Sequence, residues 1–209
     1  MYLFTRAGRF APGSIRDATA FVGSVTEKVH QESGLDVHAW ASTLSPELGT
    51  TVWAAFVEDL EQLEEANDKL AVSNVFQDLA EQGAKLFAGP LTDGLAQVVA
   101  GQPDLSAPRP AYVSVARATA ANGKLGQAFA DGVEIAETST RITGVPTMFL
   151  VEATGQYGGC RWTTGFDSIG ALQRSNDQLM ADESWTALID RIGSSYAEGA
   201  VMSIFRRVI

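Results

Sequence analysis

The chain repeats itself. Slid by 109 positions, Gly49 falls on Gly158, Trp53 on Trp162, Leu63 on Leu172, Asn67 on Asn176, Asp68 on Asp177, Leu70 on Leu179 and Leu79 on Leu188. Those are 7 identities in the 31 residues 49–79, where average composition gives roughly 2. Near matches accompany them: Glu58 with Asp167, Leu60 with Ile169, Phe76 with Trp185. At an offset of 110, Ile15 meets Leu125, Ala18 meets Ala128 and Gly34 meets Gly144. The one-residue change falls between Gly34 and Gly49, where a loop can absorb it. A repeat constrains the fold more tightly than composition does, because whatever one copy forms the other must also form. Between the copies lies Gln102-Pro103-Asp104-Leu105-Ser106-Ala107-Pro108-Arg109-Pro110, too rich in proline for a helix or strand. We therefore read two halves, 1–101 and 111–209, joined by a linker, 102–110.

Each half predicts the order β-α-β-β-α-β. The strand at 2–10 leads to Pro12-Gly13-Ser14, where Ser14 is placed to cap a helix with Asp17 three residues on. That helix carries Ile15, Ala18, Val22, Val25 and Val29 on one stripe and stops at Gly34. In the second half the strand at 112–118 precedes Asn122, a candidate cap, and Gly144 and Pro146 end the helix. Strand pairs follow, 37–43 with 51–57 and 147–153 with 160–166, then helical regions 59–87 and 168–196. A last strand closes each half, at 95–99 and 201–208. This is the ferredoxin-like order, an α+β unit with helices on one face of an antiparallel sheet. The strand at 37–43 is apolar on both faces, with Val37, Ala39 and Ala41 on one and Trp40 on the other, so both must be buried. Two such units facing one another would form a pseudo-dimeric α/β barrel in one chain.

Composition excludes several classes. Hydrophobic residues make up 45%, enough for a substantial core. No apolar run approaches the ~20 residues of a membrane span, and the N-terminus reads as a strand rather than a leader. One cysteine, Cys160, rules out an internal disulfide framework and suits a reducing cytoplasm. It pairs with Thr51 across the repeat and reads as packing. The net charge of −10 argues against nucleic acid and anionic membrane as partners. The acidic stretch Glu58–Asp68 reads as the solvated face of a helix. Nucleotide-binding loops and the nucleophile elbow are absent.

From Trp53 to Phe87 the chain resembles the dimeric α/β-barrel superfamily, which includes antibiotic-biosynthesis monooxygenases and NIPSNAP-like proteins. The resemblance rests on Trp53 late in a strand, the acidic helix start Glu58-Asp59-Leu60, the segment Ala66-Asn67-Asp68-Lys69-Leu70, and Phe76 opening a further helix. Trp162, Asp167-Ser168-Ile169, Ser175-Asn176-Asp177-Gln178-Leu179 and Trp185 repeat it. The family implies cofactor-free oxidation of phenolic substrates, haem binding or degradation, and isomerase or cyclase roles. Its haem-binding members use a histidine where this chain has Asn67 and Asn176, so haem is disfavoured. With only His30 and His38 and no cluster at ligand spacing, no metal or other cofactor is expected.

The expected function is that of a small-molecule-binding protein, an oxygenase or isomerase acting on an aromatic or polyketide-like substrate. The alternative is a non-catalytic ligand-binding or interaction protein. His38, sharing a sheet face with Trp40, is the candidate acid–base group. Trp40, Trp53 and Trp162 are candidate walls, with Arg6, Asn67 and Asn176 as polar contacts. Both asparagines are expected on the inward stripe of their helices, with Leu63 and Leu70 or Leu172 and Leu179. The aligned strand of the second half, read as Val145, Thr147, Phe149 and Val151, offers no titratable group. The duplication supplies a dimer partner in cis, so a monomer or weak homodimer is expected.

Overall fold

A computed structural model describes residues 1–208. Its elements are β1 (Tyr2–Arg9), α1 (Ile15–Ser33), β2 (His38–Thr43), β3 (Thr50–Val57), α2 (Leu60–Ala71), α3 (Asn74–Gly83) and β4 (Thr92–Ala100), then β5 (Tyr112–Thr119), α4 (Leu125–Thr143), β6 (Thr147–Glu152), β7 (Gly159–Phe166), α5 (Ile169–Ala181), α6 (Glu183–Ile192) and β8 (Val201–Arg207). The order of the first seven elements recurs in the second seven. The strands hydrogen-bond in the closed order β1-β3-β2-β8-β5-β7-β6-β4, the α+β barrel topology that the sequence predicts.

Local chemistry explains the element ends. The helices α1 and α4 stop at Gly34 (φ 79°) and Gly144 (φ 69°), a left-handed conformation that costs glycine little. The second helical region of each half is broken where a polar side chain caps the next helix. Ser73 accepts from the Phe76 amide, and the Asp182 carboxylate accepts from the amides of Ser184 and Trp185. The caps expected for α1 and α4 are not made. Ser14 donates instead to the Ala11 carbonyl, and Lys124, not Asn122, precedes α4.

Two units form, Met1–Leu95 with the residues from Arg206 onward, and Ala96–Phe205, so the division passes through β4 and β8. In the first unit Val22 and Val25 of α1 bury Ala39, Trp53 and Phe87, and the Trp53 indole donates to Thr26 in α1 at 3.0 Å. In the second, Ala136 of α4 packs with Phe149, Cys160 and Trp162, and the Trp162 indole donates to the Gly132 carbonyl at 2.9 Å. Each buried tryptophan thus satisfies its N–H within the core.

These packings fix the faces of both sheets. Ala39 lies opposite Trp53 and under α1, so His38 and Trp40, opposite Ala54 and Val52, point to the helix-free face. Phe149 lies opposite Trp162 and under α4, so Met148, Leu150 and Glu152 point to the helix-free face of the second unit. The ladders therefore equate His38 with Met148 and Trp40 with Leu150, an offset of 110. The alignment at 109, which set Trp40 against Phe149, is one residue out. A one-residue slip turns every side chain to the opposite face, and it hid Glu152.

Candidate functional site

On the helix-free face of the second unit, β7 presents Arg161 and Thr163 between the apolar rows of its neighbours. Arg161 lies opposite Arg117 on β5 and Leu150 on β6, and Thr163 lies opposite Val115 and Met148. Across β6, β4 adds Val98 beside Leu150 and Ala96 beside Glu152. The Arg161 side chain is only 9% exposed, and Nε and Nη2 both donate to Glu152 Oε1, at 2.9 and 2.6 Å. Gly159 leaves the room that Glu152 fills, since a β-carbon there would come within 2.7 Å of the Glu152 Cγ. Burial lowers the Arg161 pKa, Glu152 raises it, and the charge of Arg117 lowers it again. A guanidinium nevertheless stays protonated. Thr163 is 8% exposed, and its buried hydroxyl has no hydrogen-bond partner among the described residues. Two arginines, one carboxylate and an unsatisfied hydroxyl thus share an apolar face.

The first half provides an internal control. The ladder positions equivalent to Arg117, Arg161, Thr163 and Glu152 are Ala7, Val52, Ala54 and Ser42. The same strands form there without a charge, so folding does not require one. A buried ion pair is commonly no more stabilising than well-packed apolar residues. Sequence reading missed it, although Arg161 between Cys160 and Trp162, aligned with Val52, was a visible signal.

The residues expected from the sequence divide among separate surroundings. His38 is partly buried beside Trp40 on the helix-free face of the first unit, its Nε2 3.0 Å from Asp36 Oδ1. Trp53 and Trp162 lie under the helices as core residues. Arg6 faces the same side as Trp53, across the ladder from it, and its guanidinium grips both oxygens of Asp93 at 2.7 Å. The hydrogen bond to Asp93 raises its pKa. Asn67 and Asn176 are exposed, whereas Ala66, Leu70, Leu172 and Ser175 are buried. The inward expectation for both amides is therefore corrected. At 3.6 residues per turn the buried arc of α2 is centred on Ala66 and Leu70, and the next residue rotates about 100° away. Nor do the amides secure the helix breaks, which Ser73 and Asp182 cap.

Cys160 is buried and its thiol is pushed up to about 11 by burial, then by the charge of Glu152, as suits a packing residue. Among the described residues no three His, Cys, Asp or Glu side chains gather as a metal site requires. His30 bonds the Leu35 carbonyl through Nδ1 at 2.8 Å, His38 is engaged with Asp36, and both asparagines are exposed. No helix among the described residues is long and apolar enough to cross a membrane.

No protein-family profile matches the chain, and no curated protein matches its sequence. Solved structures match its fold. A suggested monooxygenase from Fusobacterium nucleatum aligns over 100% of this chain and 92% of its own, with 9% identity and a TM-score of 0.73. Another suggested monooxygenase, from Lactobacillus acidophilus, aligns over 100% and 94% with 7% identity and a TM-score of 0.66. An anthrone oxidase-like protein aligns over 100% and 91%, with 11% identity and a TM-score of 0.66. At these identities the likeness is one of fold, the dimeric α/β barrel.

Proposed function

We propose that the chain binds a small aromatic or polyketide-like molecule and oxidises it with dioxygen, drawing on no metal or organic cofactor. The observation that carries this reading is the Arg117–Arg161–Glu152–Thr163 cluster, set among Val98, Val115, Met148 and Leu150 and absent from the equivalent face of the first half. An apolar surface with a few fixed polar groups suits a largely aromatic ligand. The names of the matching structures, two suggested monooxygenases and an anthrone oxidase-like protein, support the same chemistry.

The reaction needs a substrate with an acidic CH2 between aromatic rings. Loss of one proton to solvent gives a carbanion, which passes an electron to O2. The two radicals combine as a peroxide anion, which takes a proton back from solvent to give the hydroperoxide, and loss of water leaves a carbonyl. In sum CH2 and O2 become C=O and H2O, so each turnover consumes one O2.

A second reading, binding without turnover, is favoured by one feature of the cluster. Its arginines cannot release protons, and its carboxylate is committed to Arg161.

An oxygen electrode with an anthrone bearing phenolic hydroxyls distinguishes the two. Oxygenase function predicts saturable uptake, one O2 per carbonyl formed. Uptake at the protein-free rate would overturn it.

A further inference from the structure

Among the described residues, the Thr163 hydroxyl is the one fully buried side-chain polar atom that makes no hydrogen bond. Its chain neighbour shows what the same two strands do on their other face. There the Thr164 hydroxyl lies 2.9 Å from that of Thr147, which lies 3.1 Å from that of Ser139 in α4, so the three are joined. Thr163 points to the helix-free face, with Val115 opposite it on β5 and Met148 opposite it on β6. Valine offers no acceptor, and methionine only a weak one in its sulfur. The first half closes the equivalent position with Ala54, so the strand needs no hydroxyl there. A threonine in that place costs stability until something bonds it, and valine would fill the same space without the cost.

From this we infer that Thr163 is the polar anchor for a neutral aromatic ketone: its hydroxyl donates to the ligand's carbonyl oxygen while the rings lie against Val115 and Met148. This rests on the small-molecule reading above and names the functional group that it leaves open. The missing partner is an acceptor, because buried donors go unpaired less often than buried carbonyl oxygens do. It is uncharged, because an ion set between valine and methionine would lose its hydration without gaining a counter-charge there. Among neutral oxygens on an aromatic skeleton, a carbonyl accepts best. Met148 is only partly buried, and its unbranched chain rearranges readily, so a ligand uncovers the hydroxyl by moving it. An anthrone carries such a carbonyl across the ring from the CH2 that is oxidised. The bond therefore orients the substrate and takes no part in the reaction, which makes Thr163 a positioning residue.

The test compares fluorenone with fluorene, one flat skeleton carrying either a carbonyl or a CH2 in its central ring, by titration of each into the protein. Thr163→Val should lower the affinity for fluorenone about two- to tenfold, the worth of one hydrogen bond, and leave that for fluorene unchanged. Without ligand, the variant should melt at the parent's temperature or above it. Thr164→Val, which breaks a bond already made on the other face, should do the reverse, lowering the melting temperature and leaving the preference between the probes as it was. With isotope-labelled methionine methyls, the Met148 resonance should move as either probe is added. Three outcomes would each overturn the inference while leaving small-molecule binding in place: the same change in affinity for both probes in Thr163→Val, a Thr163→Val protein less stable than the parent, or a Met148 resonance that stays put while the probes bind. Failure of both probes to bind would count against both readings.

Discussion

At the scale of single residues, one ion pair separates the two halves. Arg161 and Glu152 stand where the first half has Val52 and Ser42, in equivalent strands with equivalent neighbours. Arg161→Ala leaves the Glu152 carboxylate buried and unpaired, and breaking a buried pair in this way costs about 3–5 kcal/mol. The joint change Arg161→Val with Glu152→Ser copies the first half and removes both charges. It should be neutral or stabilising by about 1–4 kcal/mol. Urea unfolding of the two variants checks the contrast. A double variant as unstable as the single one would mean that the pair supports the fold.

At the scale of elements, α4 shows how helix propensity and packing oppose each other. Gly126 and Gly132 lie on the same helix, but a β-carbon at Gly126 meets nothing within 4 Å, whereas one at Gly132 would run into the Phe149 ring. Gly126→Ala should stabilise by up to about 1 kcal/mol, the usual difference between the two residues in a helix. Phe149 is fully buried and cannot retreat without disturbing Trp162, 5.3 Å away. Gly132→Ala should therefore cost about 1–3 kcal/mol through overpacking. Thermal unfolding decides both signs. The same competition places Asn67 and Asn176: the helical period was legible, but in α2 the buried arc is set by Ala66, which packs with Leu35, Val57 and Leu63, and by buried Leu70.

At the scale of the whole molecule, the strand order closes on itself, so no strand is left as an open edge to recruit another chain. The net charge of −10 adds repulsion between copies at low salt. We expect a monomer of 22.2 kDa in light scattering at micromolar concentration. A dimer persisting on dilution would show that an apolar surface, not a strand edge, drives association.

The sequence by itself determined the repeat, the order of elements and where α1 and α4 stop. Those follow from local rules: glycine at a left-handed position, and apolar residues spaced at 3.6 or 2. It also determined that Cys160 packs, from its pairing with Thr51. What only the tertiary structure decided was the facing of each strand. Where the repeat changes offset, 109 and 110 are equally consistent with the residues, and the choice sets whether Phe149 or Leu150 matches Trp40. Only Ala39 against Trp53 under α1, and Phe149 against Trp162 under α4, resolve it. The candidate site was illegible for the same reason. Arg117, Glu152, Arg161 and Thr163 are spread over 47 positions of the chain, and each reads alone as an ordinary strand residue. They become a site because pleating turns them to one side and antiparallel pairing sets them side by side, and neither is encoded at any one of the four positions.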